Sequence, residues 1–369
     1  MASGNGEARV YVGAESHGLY RLSPGSDNWE ALTMGLPDRV EVQGIALHPD
    51  NPAIVYAGTN DGPYRSDDRG DHWERLDYPK GAPGVWTFLF RPGDPTVMYI
   101  GTAPGEIYRS TNSGDSWQKL NTTMGSNECQ MTFPTRVIGL TADPNFPDEM
   151  YAGLEVAGVI RSSDGGESWE EITGSLAPNE DTLDLHGVQC TAASPHTVFL
   201  TTRQGPFIGP DRGSEWIPID FGNYSEITYT RDLFAAPHDP NVLFVSIGAA
   251  ARSSQGAVYR SRDLFRTFET VGQGVKAQST MMAVRSDPRN PNHVFCVARD
   301  GEAFGSTDDG QNWTTYPLPE AAKEVRGLAL GYQNRYQKPP THRSGVFYIY
   351  FVNLGPGLLL PWPPPATDM

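Results

Sequence analysis

An aromatic residue that returns at nearly constant spacing constrains this chain most. Trp29, Trp73, Trp117, Trp169, Trp216, Phe268 and Trp313 close seven similar segments, with successive gaps of 44, 44, 52, 47, 52 and 45 residues. Each segment reads strand, Gly-containing turn, strand, polar loop, aromatic. VYAGTNDGPYRSDDRGDHW (55–73) and MYAGLEVAGVIRSSDGGESW (150–169) are clear copies. Between copies lies one more apolar stretch followed by a Pro turn, as in VQGIALHPDNP (42–52) and MAVRSDPRNP (282–291). Four short strands per period match one propeller blade of roughly 40–50 residues. The 40 Gly and 31 Pro favour strands joined by turns, and no segment carries a convincing helical period. The expected fold is all-β: a seven-bladed β-propeller with four-stranded blades. It is read as one domain over residues 1–369, with a Pro-rich C-terminal tail at 355–369.

The chain begins inside a repeat. Val10 to Val12 matches a second strand with no first strand before it. VRGLALGYQ (325–333) matches VQGIALHPD and supplies the missing piece. N/C-terminal closure within one blade is therefore expected, which removes the free edges of the ring. VFYIYFVN (346–353) also resembles a second strand and competes for that place or adds an outer one.

The net charge of −16 repels phosphate backbones, so no nucleic acid partner is expected. No apolar run approaches the ~18 residues of a membrane span, so no membrane partner is expected either. Cys129, Cys190 and Cys296 are far apart and form no disulfide framework or zinc motif. The N-terminus MASGNGEARVYVG lacks a basic and an apolar region, and the simplest reading is a cytoplasmic location.

The polar loop has the form Ser/Thr-x-Asp-x-Gly-x-x-Trp at Ser66–Trp73, Ser162–Trp169 and Ser306–Trp313, with Asn112 replacing Asp in Ser110–Trp117. Asp or Asn accepts hydrogen bonds from backbone N–H groups further along, Gly supplies a left-handed residue, and Trp buries its ring. On these residues the chain resembles the Asp-box (bacterial neuraminidase repeat) propeller superfamily over residues 8 to about 352. That group includes sialidases, xyloglucanases, sortilin-type receptors and photosystem II assembly factors. The resemblance implies a sialidase-like seven-bladed ring in which Asp68, Asp164 and Asp308 are turn residues away from the active face. Residues 7–11 read Glu-Ala-Arg-Val-Tyr where sialidases carry Arg-Ile-Pro before the first box.

Since the Asp-box joins strands three and four, ligand sites are expected on the opposite face, around the central channel. Loops and inner strands there carry Glu15, His17, Asp61, Trp86, Arg136, Glu155, His186, Arg203, Tyr229, Arg231, Arg252 and Arg326. Arg136, Arg231 and Arg326 are candidates to hold a carboxylate through bidentate pairs, with Arg203, Arg252, Trp86, Glu15, His17 and Asp61 as further substrate contacts. His186 suits general acid–base chemistry near neutral pH, Glu155 in an apolar loop suits an acid, and Tyr229 joins them. No metal or other cofactor is expected, although Glu15, Asp61, Glu155 and Asp300 offer oxygen ligands for a divalent ion. The leading expectation is an enzyme on a small, anionic, carboxylate-bearing molecule, a glycosidase-like hydrolase or a lyase. The alternative is a non-catalytic propeller scaffold or assembly factor with a protein partner. The enzyme requires Arg136, His186, Arg231 and Arg326 to converge on one pocket; the scaffold leaves those arginines paired with acids in the wall.

Overall fold

The second strand of four repeats is buried along its whole length, as in Val55–Thr59 and Leu243–Gly248, and in the other three it is buried over at least half of it. A strand exposed on one face would alternate; these do not, because both faces pack against neighbouring sheets. The outermost strands, such as Glu74–Arg75 and Thr314–Thr315, are short and exposed. A sheet buried inside and polar at its rim is a radial blade.

The computed structural model describes residues 8–332, apart from 16–17, 123, 125–132, 177–179 and 273. These residues form seven antiparallel four-stranded sheets. Counting from the N-terminus, the inner strands are Val325–Tyr332 for blade 1, Val42–Leu47 for blade 2, Gly84–Arg91 for blade 3 and Arg136–Asp143 for blade 4. Leu185–Gln189, Tyr229–Ala235 and Met281–Ser286 follow for blades 5 to 7. Each inner strand contacts the next, and that of blade 7 contacts that of blade 1, so the ring closes.

Closure follows the repeat. Ala8–Ala14 lies between Val325–Tyr332 and Gly18–Leu22, pairing Val10 with Leu330 and Val12 with Leu328. The segment 346–353 and the tail 355–369 lie outside the described residues, as does Cys129. Among the described residues, a helical turn at Glu180–Leu183 and a 3-10 turn at Phe221–Asn223 interrupt the expected all-strand pattern, and Pro210–Gly213 is a tight turn with Asp211 and Arg212 left-handed.

The polar loops have the geometry that their sequence implies. Ser66 Oγ accepts from the Gly70 N–H at 2.7 Å, Asp68 Oδ1 accepts from the His72 N–H at 2.9 Å, and Trp73 Nε1 donates to the Gly70 carbonyl at 3.0 Å. Blades 3, 4 and 7 repeat the serine and Asp/Asn contacts. Asp68, Asp164 and Asp308 are thus committed to their turns. Blade 6 builds the same turn from Ser261 and Asp263 with Phe265 in the glycine position at φ 69°.

Candidate ligand site in the central channel

Every inner strand carries a β-bulge at one level. The pairing register slips between Val42 and Gly44, Val85 and Thr87, Val137 and Gly139, Leu185 and Gly187, Thr230 and Asp232, and Met281 and Ala283. In blade 1 it slips between Val325 and Gly327. A bulge leaves one residue unpaired and re-aims it. Here the unpaired residues are Gln43, Trp86, Ile138, His186, Arg231, Met282 and Arg326. All seven line one cavity of about 230 Å³ in the channel. The backbone device repeats seven times, and hardly any side chain it presents does. This collar is where the repeat becomes chemically specific.

The next residue explains part of the geometry. A Cβ on Gly44 would sit 2.6 Å from the Trp86 carbonyl, and one on Gly187 would sit 2.7 Å from Thr201 Oγ1. The Gly187 Cβ would also sit 3.0 Å from Leu233 Cβ of the next blade, so both glycines let adjoining blades approach at the bulge.

Beside the collar, blades 4 to 6 bring together Arg136, Glu155, Asp184, His186, Arg203, Tyr229 and Arg231. His186 Nδ1 lies 2.6 Å from the Thr230 carbonyl, which fixes the proton on Nδ1. Its Nε2 faces the Tyr229 hydroxyl at 3.2 Å and Asp184 Oδ2 at 3.5 Å. Arg203 Nε pairs with the same Asp184 oxygen. Burial alone would raise the Asp184 carboxyl, but hydrogen bonds and charge from His186 and Arg203 hold it below the usual carboxylate range. Burial raises the Tyr229 phenol, so it stays neutral. Burial works against the charge on Arg231, and Tyr229, Glu155 and Asp184 more than restore it.

The sequence-derived candidates divide. His186, Arg231, Arg326 and Trp86 line the cavity. Arg136 does not; it stacks on the Trp86 ring at 4.6 Å and the Phe133 ring at 4.1 Å, and pairs with Glu155 at 2.9 Å. Glu155 is therefore an ion-pair partner rather than an isolated acid. Arg326 is held by Glu15, and Arg203 by Asp184. Arg252 is largely exposed, 3.4 Å from Glu324. Asp61 holds Arg75 and Tyr64 in a blade 2 hairpin. His17 lies outside the described residues. Among the described residues, the ring of Glu15, Asp61, Glu155 and Asp300 is not assembled, and the groups close enough to share an ion are Glu155, Asp184 and His186, and Asp143, Glu149 and His196. Arg136 and Arg203 each pair with one oxygen of the first group's carboxylates, while Asp184 Oδ1 is buried without a hydrogen-bond partner.

Among the described residues, Arg231 has no carboxylate within ion-pair distance, unlike Arg136, Arg203, Arg252 and Arg326. Three blades away, Gln43 Oε1 is buried without a hydrogen-bond partner. Sequence reasoning missed Gln43, Ile138 and Met282. The signal available was a recurring hydrophobic–x–small triad: Val-Gln-Gly, Val-Ile-Gly and Met-Met-Ala beside Leu-His-Gly and Val-Arg-Gly.

This architecture defines a seven-bladed β-propeller related to GH74 xyloglucanases and to Vps10/sortilin-type propellers. The family model described as "Sortilin, neurotensin receptor 3," matches residues 157–300. The xyloglucanase Xgh74A of Acetivibrio thermocellus is 27% identical over 244 residues, covering 56% of this chain and 28% of that protein. This chain thus spans less than a third of that relative's length. The GH74 xyloglucanase structure from Xanthomonas campestris superposes with TM-score 0.59 at 18% identity, over 74% of this chain and 45% of that one. A structure of YCF48 bound to D1 peptide superposes with TM-score 0.56 at 17% identity, over 91% of this chain and 92% of that one.

Proposed function

We propose that this chain is a glycosidase-like enzyme acting at the collar on a small saccharide-class molecule that carries a carboxylate. One observation carries the reading: the seven bulge residues Gln43, Trp86, Ile138, His186, Arg231, Met282 and Arg326 line one cavity, with the His186 ring buried behind its wall. Arg231 takes the carboxylate, because a half-buried guanidinium without an acidic partner gains most from an anion. The buried Asp184–His186–Tyr229 relay supplies and accepts the proton. The GH74 xyloglucanase relatives support glycosidic chemistry. At about 230 Å³ the cavity is below the ~300–1,000 Å³ usual for ligand pockets, so it fits one sugar unit rather than a chain. We propose an Asp-box, sialidase-like ancestry for the fold as part of this reading; the turn geometry of blades 2, 3, 4, 6 and 7 supports it.

The test is turnover of carboxylate-bearing and neutral aryl glycosides by the purified chain. Turnover that is confined to the acidic set and lost in Arg231→Ala and His186→Ala supports the proposal. Turnover unchanged by both substitutions sinks it.

A second reading is a peptide-binding propeller. The observation favouring it is an apolar chamber at the other channel mouth, lined by Leu47, Phe234, Pro237, Pro288 and Leu330. The likeness to YCF48 bound to D1 peptide fits this reading. It predicts capture of apolar peptides with no turnover of any glycoside.

A further inference from the structure

The channel holds two chambers of opposite character that share a wall. The upper one is the collar cavity. The lower one, about 530 Å³, lies where the inner strands end, and its lining is mostly aliphatic, aromatic and proline. Ile45, Arg285 and Leu328 line both. The two chambers therefore adjoin at these three residues.

Arg285 stands at the waist. Its Nη1 lies 2.5 Å from Asp232 Oδ2, and its guanidinium covers the Phe234 ring at 4.9 Å. Asp232 directly follows the bulge residue Arg231. The waist is thus built from the element that aims Arg231 into the collar. Apolar surface beneath polar groups is not by itself a site. Here it adjoins a cavity lined by Arg231, which has no carboxylate within ion-pair distance among the described residues, and by Gln43, whose buried Oε1 has no hydrogen-bond partner. One ligand can satisfy both environments only if it is amphipathic.

We infer that the channel binds a molecule with an anionic polar head at the collar and an alkyl or aryl group in the lower chamber. In terms of the proposed function, on which this inference rests, the substrate is an acidic glycoside with an apolar aglycone. The collar cavity alone is smaller than the usual ligand pocket, and the two chambers together fall within that range. Burying an aliphatic tail is worth about 0.8 kcal/mol per CH₂, or roughly fourfold in affinity for each carbon.

The experiment measures affinities of methyl, butyl, hexyl and octyl β-D-glucuronide for the full chain by titration calorimetry. The expected result is a rise of about fourfold per added CH₂ until the chamber fills. Leu47→Asp should abolish that rise and leave methyl glucuronide binding unchanged. Leu47 is half-buried, so Pro237→Asp at the exposed rim of the chamber is the second variant if the first does not fold. Methyl glucuronide binding with no dependence on tail length overturns the amphipathic ligand and leaves the collar site standing. A tail dependence that survives both substitutions overturns it as well, because the tail then binds elsewhere. Binding by no member of the series overturns the proposed function along with this inference.

Discussion

The Tyr99 hydroxyl donates a hydrogen bond to the Gly165 carbonyl at 2.7 Å, reaching from blade 3 to the polar turn of blade 4. Gly165 is left-handed, with φ 69°. Tyr11 does the same to Arg69 and Tyr56 to Ser113, each left-handed at the same turn position. Blades 1, 2 and 3 thus each hold the left-handed turn of the next blade with a buried phenol. Tyr99→Phe should lower stability by about 1 kcal/mol, because the carbonyl loses its partner while the ring still fills its space. Urea unfolding checks this; an unchanged midpoint would show that water replaces the phenol.

The seven-fold count and the closure by 325–332 were legible because the turn chemistry repeats locally. Ser, Asp, Gly and Trp in fixed order need only a few residues to fold that way, so the signal survives in a single sequence. The collar was half legible. His186, Arg231, Arg326 and Trp86 stood out as polar or aromatic in apolar strands, whereas Ile138 and Met282 blended into them. Which residue is unpaired depends on register against the second strand, and register is a property of two segments. Ion pairing was hidden for the same reason. Arg136 lies directly opposite Glu155 in the ladder although 19 residues separate them.

Acid sensitivity should be concentrated in the polar turns. Asp164 accepts from the Ser168 hydroxyl at 2.6 Å and from the Ser168 N–H at 2.9 Å, which pulls its carboxyl down to about 2. Asn312 lowers Asp308 in the same way. A depressed carboxyl contributes stability above its unfolded pKa of about 3.9 and loses it as pH falls through the folded value. Tm should therefore drop between about pH 4 and pH 2. The Asp164→Asn/Asp308→Asn double variant should show a shallower drop over that range in calorimetric scans. Parallel curves would assign acid unfolding to other groups.

Blade 5 lacks the serine–aspartate turn and replaces it with a longer-range device. Gly209 stands where the serine belongs, and Arg212 holds φ 64°. Glu149 of blade 4, almost fully buried, accepts from Tyr151 at 2.6 Å and lies 2.9 Å from both His196 Nδ1 and Arg212 Nε. Glu149→Ala removes three polar contacts at once. The expected loss is about 2–3 kcal/mol, discounted for the partly exposed Arg212. Denaturant titration of this variant against Glu167→Ala, an exposed partner of Arg109, checks it. Equal losses would show that Glu149 is no more than a surface charge.

The collar makes a last prediction in which fold and site are tested together. Gly187 follows the bulge at His186 and faces Thr201 of its own blade and Leu233 of the next. A Cβ there would sit 2.7 Å from Thr201 Oγ1 and 3.0 Å from Leu233 Cβ. The Leu233 side is main-chain-anchored and cannot turn away, so Gly187→Ala must shift the inner strand of blade 5 or blade 6. Overpacking of this kind costs about 1–3 kcal/mol. Blade 6 carries Arg231 two residues before Leu233, so the shift also moves the cation of the collar. Gly222→Ala is the control, since its Cβ would meet only the Asp220 carboxylate at 3.4 Å. Thermal unfolding should separate the two variants by several degrees. Affinity for an acidic glycoside, measured well below both melting temperatures, should fall at least tenfold in Gly187→Ala and stay level in Gly222→Ala. A Gly187→Ala chain that melts early yet binds as tightly as the parent would show that the bulge shapes the wall without setting the position of Arg231.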